Sequence, residues 1–113
     1  DLPSYSWGKV IPYGVYDLGR NEALMYLAQG FDTGQLAVDA IRRWWFRLGR
    51  QTYSAGSPIL LLADCGGSNG YRVPLFREQL QLLANRLNRE IRVSHIPPVH
   101  DPERLFLISR STP

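Results

Sequence analysis

Residues 58–70 read PILLLADCGGSNG. Apolar residues run from Ile59 to Ala63 without a break, Asp64 follows, and Gly66, Gly67 and Gly70 come at once behind it. A continuous apolar run this short predicts a strand buried on both faces, the kind found inside an α/β sheet. Such a strand needs paired neighbours and helices to cover it, so it constrains the rest of the chain more than any other stretch. Ligands and reacting groups in these sheets collect outside the carboxyl ends of the strands, and Asp64 stands at that end. A carboxylate placed there serves as a metal ligand, as a general base, or as the cap of a turn that Gly66 and Gly67 make sterically accessible. The local pattern leaves those three roles open.

The remaining 100 residues or so must supply the neighbours, and the chain of 113 residues is sized for one domain. Hydrophobic content of 44% with three Trp and six Tyr is enough for a core of ordinary density. No apolar run is long enough to span a membrane, and no charged start followed by an apolar middle marks a signal peptide. The single cysteine, Cys65, cannot form an internal disulfide, which fits a reducing cytoplasmic location. The net charge is +3 and the excess is arginine, since Lys9 is the only lysine. Arginine makes bidentate contacts with phosphates, so nucleic acid is a permitted partner.

Taken in order, residues 10–17 (VIPYGVYD) alternate β-branched and aromatic residues and predict a strand, with Pro12 pointing to an edge or bulge. Residues 18–22 form a turn and residues 23–29 a returning strand. Asp32 and Thr33 offer an N-cap for a helix over residues 34–48, whose apolar stripe is Ala37, Val38, Ile41, Trp45 and Leu48 and which Gly49 is expected to stop. Trp44 and Trp45 read as core and rim. Arg42, Arg43 and Arg47 lie beside the stripe and suit either a solvated helix face or DNA contact. Pro74 starts a second helix, with Phe76, Leu80, Leu83 and Leu87 on one face. Residues 90–96 predict a half-buried strand that Pro97 and Pro98 end. Residues after Pro102 are expected to begin a short helix.

The order strand, strand, helix, strand, helix, strand predicts an α/β fold with helices packed on a mixed sheet. It is the RNase H-like order with its first strand missing. The segments IPYGVYD, DTGQLAVDAIRRWW, LLLADCGGSNGYR and VSHIPP, in that order and spacing, resemble the DDE catalytic domain of insertion-sequence transposases of the Rhodopirellula transposase family. ERLF, residues 103–106, resembles the end of that family's Glu-containing motif. The resemblance implies metal-dependent DNA strand cleavage and transfer in transposition. It implies Asp64 as the second carboxylate of a catalytic, metal-binding triad, Glu103 as the third, and Mg²⁺ or Mn²⁺ as the cofactor. DNA at insertion-sequence ends is the implied partner, with self-association or pairing with an intact transposase beside it.

The family's first carboxylate belongs to a strand upstream of the hairpin, outside these residues; Asp1 corresponds to a later loop. That upstream strand would pair beside residues 58–63, so its absence predicts an open apolar edge there. The family's longer stretch before the Glu is represented only by residues 99–102. Cys65 stands where a Gly is usual and Phe31 where a His is usual. The chain is therefore expected to be a partial domain over residues 1–113, truncated at both ends and inactive alone. Two other classes stay in play: a non-enzymatic DNA- or protein-interaction fragment, and an α/β domain whose GGSNG loop cradles a phosphate or nucleotide. That loop lacks the P-loop lysine and the dinucleotide fingerprint spacing. Cys65, His95 and His100 show no zinc-ligand spacing.

Overall fold

The computed structural model describes residues 10–29, 34–53, 56–64, 74–96 and 105–110, with the backbone alone at residues 64, 95, 96, 105 and 110. Strands β1 (Val10–Asp17) and β2 (Glu22–Gln29) form the expected hairpin, in antiparallel register from Val10 opposite Gln29 to Asp17 opposite Glu22. Ile11, Tyr13 and Val15 on β1 and Leu24, Tyr26 and Ala28 on β2 turn to the core, and Tyr13 stacks on Tyr26 with ring centroids 6.4 Å apart. Asp17 Oδ1 accepts hydrogen bonds from the backbone N–H groups of Gly19, at 3.0 Å, and Arg20, at 3.3 Å. That is an Asx-type turn, and Asn21, at φ 54°, completes it in the left-handed region that Asn tolerates better than most residues.

Helix α1 runs Gly34–Trp44, continues as a π-helical turn over Trp45–Gly49, and closes with one more turn at Arg50–Thr52. Gly49 does not stop it: its φ of −66° and ψ of −41° are helical. The glycine is there for space. A Cβ on Gly49 would lie 2.7 Å from the Trp44 ring and 2.9 Å from the Trp45 ring. Successive helix positions point about 100° apart, so burying two adjacent indoles distorts a regular α-helix, and the wider turn accommodates both. Trp44 and Trp45 are both core residues, and Tyr53 packs against each.

Strand β3 (Ile59–Asp64) is followed by α2 (Pro74–Leu87), which starts at Pro74 as expected and buries Phe76, Leu80 and Leu83. It ends in a Schellman arrangement: Asn88 donates to Asn85 O, Arg89 donates to Ala84 O, and Asn88 sits at φ 52°. Strand β4 is Ile91–Ile96. The last described residues form a fifth strand, β5 (Leu105–Arg110), where a helix was expected after Pro102.

The sheet order is β2-β1-β5-β3-β4. The final strand in sequence is thus the middle strand in space, parallel to β1 and antiparallel to β3. The expected open edge beside β3 does not exist: β4 pairs with one side of it and β5 with the other. β5 takes the place beside β3 that the transposase resemblance assigns to a strand upstream of the hairpin. Phe106 and Ile108 are buried there, Phe106 stacks on Phe76 at 5.9 Å, and the Leu18 N–H donates to Ile108 O at 2.8 Å. Pro12 is paired with Leu27 across the hairpin, while the β5 pairing begins only at Gly14, so its missing N–H interrupts no central ladder.

Both helices lie over one face of this RNase H-like mixed sheet, and they meet where the backbone of Phe76 comes so near Gly34 that a Cβ would sit 2.7 Å from it. On the opposite face Val10, Met25 and Leu27 are exposed.

Candidate metal and nucleic-acid sites

Asp64 is the last residue of β3 and is level with Ile96 across the parallel β3–β4 pair. Both strands end on the same edge of the sheet, the edge where an α/β fold presents reactive groups. The Asp64 side chain, Cys65, the glycines at 66, 67 and 70, His100 and Glu103 lie outside the described residues. Among the described residues no three His, Cys, Asp or Glu side chains come together in a group that could hold a metal ion. Residues 105–110 form β5 rather than a helix.

One carboxyl group absent from the sequence expectations is buried: Asp17, 2% exposed. Besides the two turn amides, its Oδ1 accepts a hydrogen bond from the Tyr53 hydroxyl at 3.2 Å. With three donors on one oxygen, Asp17 ties the hairpin turn to the end of α1 and serves structure. A hollow of about 190 Å³ between α2 and β4 is lined by Phe76, Leu80, Ala84, Ile91 and Val93 among others. It is smaller than the roughly 300 Å³ at which ligand pockets begin; a more open hollow of about 500 Å³ beside it, lined by Asn85, Asn88, Arg89 and Glu90 among others, is not.

The three arginines singled out on α1 differ in surroundings. Arg42 pairs with Asp39 at 3.1 Å. Arg43 lies over the Tyr26 ring at 4.7 Å. Arg47 is exposed in the π-helical turn. Sequence reading did not connect these with α2, yet Arg86 lies 5.5 Å from the Phe46 ring centroid and Arg50 lies 5.9 Å from the same centroid. Arg89 is more enclosed: it lies over Trp45 at 4.4 Å and donates to Ser57 O at 2.8 Å, and burial pulls its guanidinium below the ordinary pKa. The available signal was compositional. Residues 42–50 and 81–89 together hold six arginines and no Asp or Glu.

The two candidate sites occupy opposite ends of the sheet. Gly34 and Phe76 mark the helix starts, and Phe76 stacks on Phe106 toward the carboxyl end of β3. Arg89 and Glu90 lie at the other end, where the Ile59 N–H donates to Glu90 O. The six residues of β3 separate the two ends by about 16 Å.

A family model described as Rhodopirellula transposase DDE domain matches residues 1–102. No curated protein and no solved structure matches the chain.

Proposed function

Because the chain belongs to the Rhodopirellula transposase DDE domain family, we propose that it is a segment of a catalytic domain whose parent reaction is metal-dependent DNA strand cleavage and transfer, and that these 113 residues alone do not perform it. A transposition-related role follows from the family itself. The observation that carries the finer reading is the position of Asp64, at the carboxyl end of an interior strand and directly before the glycine-rich sequence CGGSNG.

In this reading Asp64 and Glu103 hold a divalent cation, for which carboxylate oxygens are the suitable donors. When bound, Mg²⁺ or Mn²⁺ supplies neutralisation of charge at the attacking and leaving oxygens of a phosphodiester. Arg42, Arg43 and Arg47 contribute positive charge for the DNA backbone. These residues contain two of the three acids that the reaction calls for, and misplacing a catalytic group by about 1 Å can already cost roughly 100-fold in rate. The partners proposed are insertion-sequence ends and a second transposase copy.

The test is a Mn²⁺ titration of the wild-type chain against Asp64→Ala and Glu103→Ala, run beside a plasmid-nicking assay. Weak binding lost in Asp64→Ala, with no nicking by any variant, is the expected result. Equal Mn²⁺ affinity in wild type and Asp64→Ala would remove Asp64 from the site. Nicking that requires Asp64 would confirm the site and overturn the inactivity.

A further inference from the structure

We propose that the outer edge of β2 is the docking surface for a second copy of this chain, strand against strand, in an antiparallel pair that joins the two five-stranded sheets. The inference rests on the transposase reading only in taking a second copy as the partner; the surface is read from the strand itself.

β2 is the end strand of the sheet, and among the described residues nothing pairs with its outer side. Alternate residues of a strand turn their N–H and C=O groups outward, so an eight-residue edge strand is a template for another strand. Sheet edges are ordinarily blunted by charge, by Pro or by a bulge. The opposite edge follows that rule: β4 carries Arg92 and His95, and Glu90 just before it pairs with Arg92 at 3.1 Å. β2 does not. From Ala23 to Gln29 it has no charge, no Pro and no Gly, and it matches β1 residue for residue without a bulge. The exposed apolar side chains gather at the same place. Met25 and Leu27 are each 63% exposed, and Val10, on the same face of the neighbouring β1, is 59% exposed; these are the three highest values among the large hydrophobic residues described. The other face of β2 is covered by α1, from which Arg43 lies over the Tyr26 ring. A partner therefore meets the edge and the open apolar face together.

The edge selects its partner. Small and apolar side chains in alternation are matched by a strand of the same pattern, and β2 is itself such a strand. A two-fold axis through Tyr26, perpendicular to the sheet, sets Met25 opposite the partner's Leu27, Leu24 opposite the partner's Ala28 and Ala23 opposite the partner's Gln29. The whole uncharged run is used, and it brings no charged side chain of β2 into the pairing. Seven residues span about 24 Å. A strip of that length and about 10 Å deep, with Met25 and Leu27 folded over it, buries on the order of 500 Å² per copy, or about 1,000 Å² in all, the lower bound for a specific interface. The dimer should therefore be of modest strength, half-formed at about 10 µM.

The experiment is sedimentation velocity in EDTA from about 1 to 200 µM, with amide hydrogen exchange followed by mass spectrometry at both ends of that range. It compares wild type with Met25→Lys/Leu27→Lys, Met25→Thr/Leu27→Thr and Leu82→Lys, which alters an apolar side chain exposed on α2. Wild type should pass from monomer to dimer, and exchange across Ala23–Gln29 should slow with concentration while β4 stays unchanged. The Lys pair should weaken the dimer at least 10-fold, the Thr pair less, and Leu82→Lys not at all. A wild type that stays monomeric at 200 µM overturns the proposal, and β2 amides already slow to exchange in that monomer would show another segment of the chain on the edge. A dimer that ignores both β2 pairs, or that protects β4 instead, overturns it as well. The exchange measurement on wild type decides the matter even if a variant misfolds. With metal chelated, these outcomes are separate from the Mn²⁺ titration at Asp64.

Discussion

Ile108 should be among the most costly residues in the molecule to truncate. It is fully buried in β5, opposite Asp17 on β1 and Leu61 on β3, so its side chain sits where the two halves of the sheet join. Ile108→Ala removes three carbons, worth about 0.8 kcal/mol each in transfer alone. The cavity left in a site hemmed by strands on both sides raises the cost to about 3–4 kcal/mol. A domain of this size has roughly 5–15 kcal/mol to lose. Urea denaturation followed by the fluorescence of the buried Trp44 and Trp45 would read the change as a fall in midpoint of about 1.5–2 M, taking an m value near 2 kcal/mol/M. Leu107 is the control, since it points to the opposite face and is only half-buried; Leu107→Ala should cost less than half as much. If Ile108→Ala cost under about 1 kcal/mol, or no more than Leu107→Ala, β5 would not be a central strand and the placement argued from its burial would fall.

Gly49→Ala sets helix propensity, which favours Ala by up to about 1 kcal/mol, against a Cβ placed 2.7 Å from Trp44; the steric side should win, for a net loss of about 1–2 kcal/mol in thermal or chemical denaturation, and a stabilised variant would refute the close-packed tryptophan pair. Asp17→Ala strands the Tyr53 hydroxyl and two turn amides and should cost about 2–3 kcal/mol, while Tyr53→Phe costs about 1; in a double-mutant cycle the two should fall short of additivity, and strict additivity would show that the Asp17–Tyr53 bond carries nothing. At the end of α2, Asn88→Gly should be neutral or slightly stabilising and Asn88→Ala should cost about 1 kcal/mol, because φ of 52° suits Gly and strains a Cβ; equal melting points for the two would speak against the Schellman geometry.

What could be read in advance follows from how local each signal is. The β1–β2 hairpin announces itself by alternation, α2 by Pro74 and a four-residue apolar stripe, and β3 by an unbroken apolar run; each is decided within about 15 residues. β5 is not. LFLIS is an apolar run too short to separate strand from helix by period, and a preceding Pro and Glu suit a helix start equally well. Its strand character comes from a slot between β1 and β3 that only the tertiary fold creates. The π-helical turn was hidden for a related reason, since Gly49 reads as a stop until two indoles are seen to need the room. At the candidate sites, the position of Asp64 was legible from the strand-then-glycine pattern. The joining of Arg50 and Arg86 on Phe46 was not, because those arginines are 36 residues apart.

The central place of β5 also sets a timetable for folding. The pairing of Gly14 with Leu105 joins residues separated by nearly the whole chain. Loop-closure entropy makes such long-range pairing late and slow. A nascent chain can form the β1–β2 hairpin early and the β3–α2–β4 unit next, but the two cannot share a sheet until β5 is synthesised. Until then each half presents a strand whose central-side hydrogen-bonding groups are unmet. Strand β5 thus acts as a closing stitch, and any event that delays its pairing, such as a translational pause before it, prolongs the interval in which the two halves are open to aggregation.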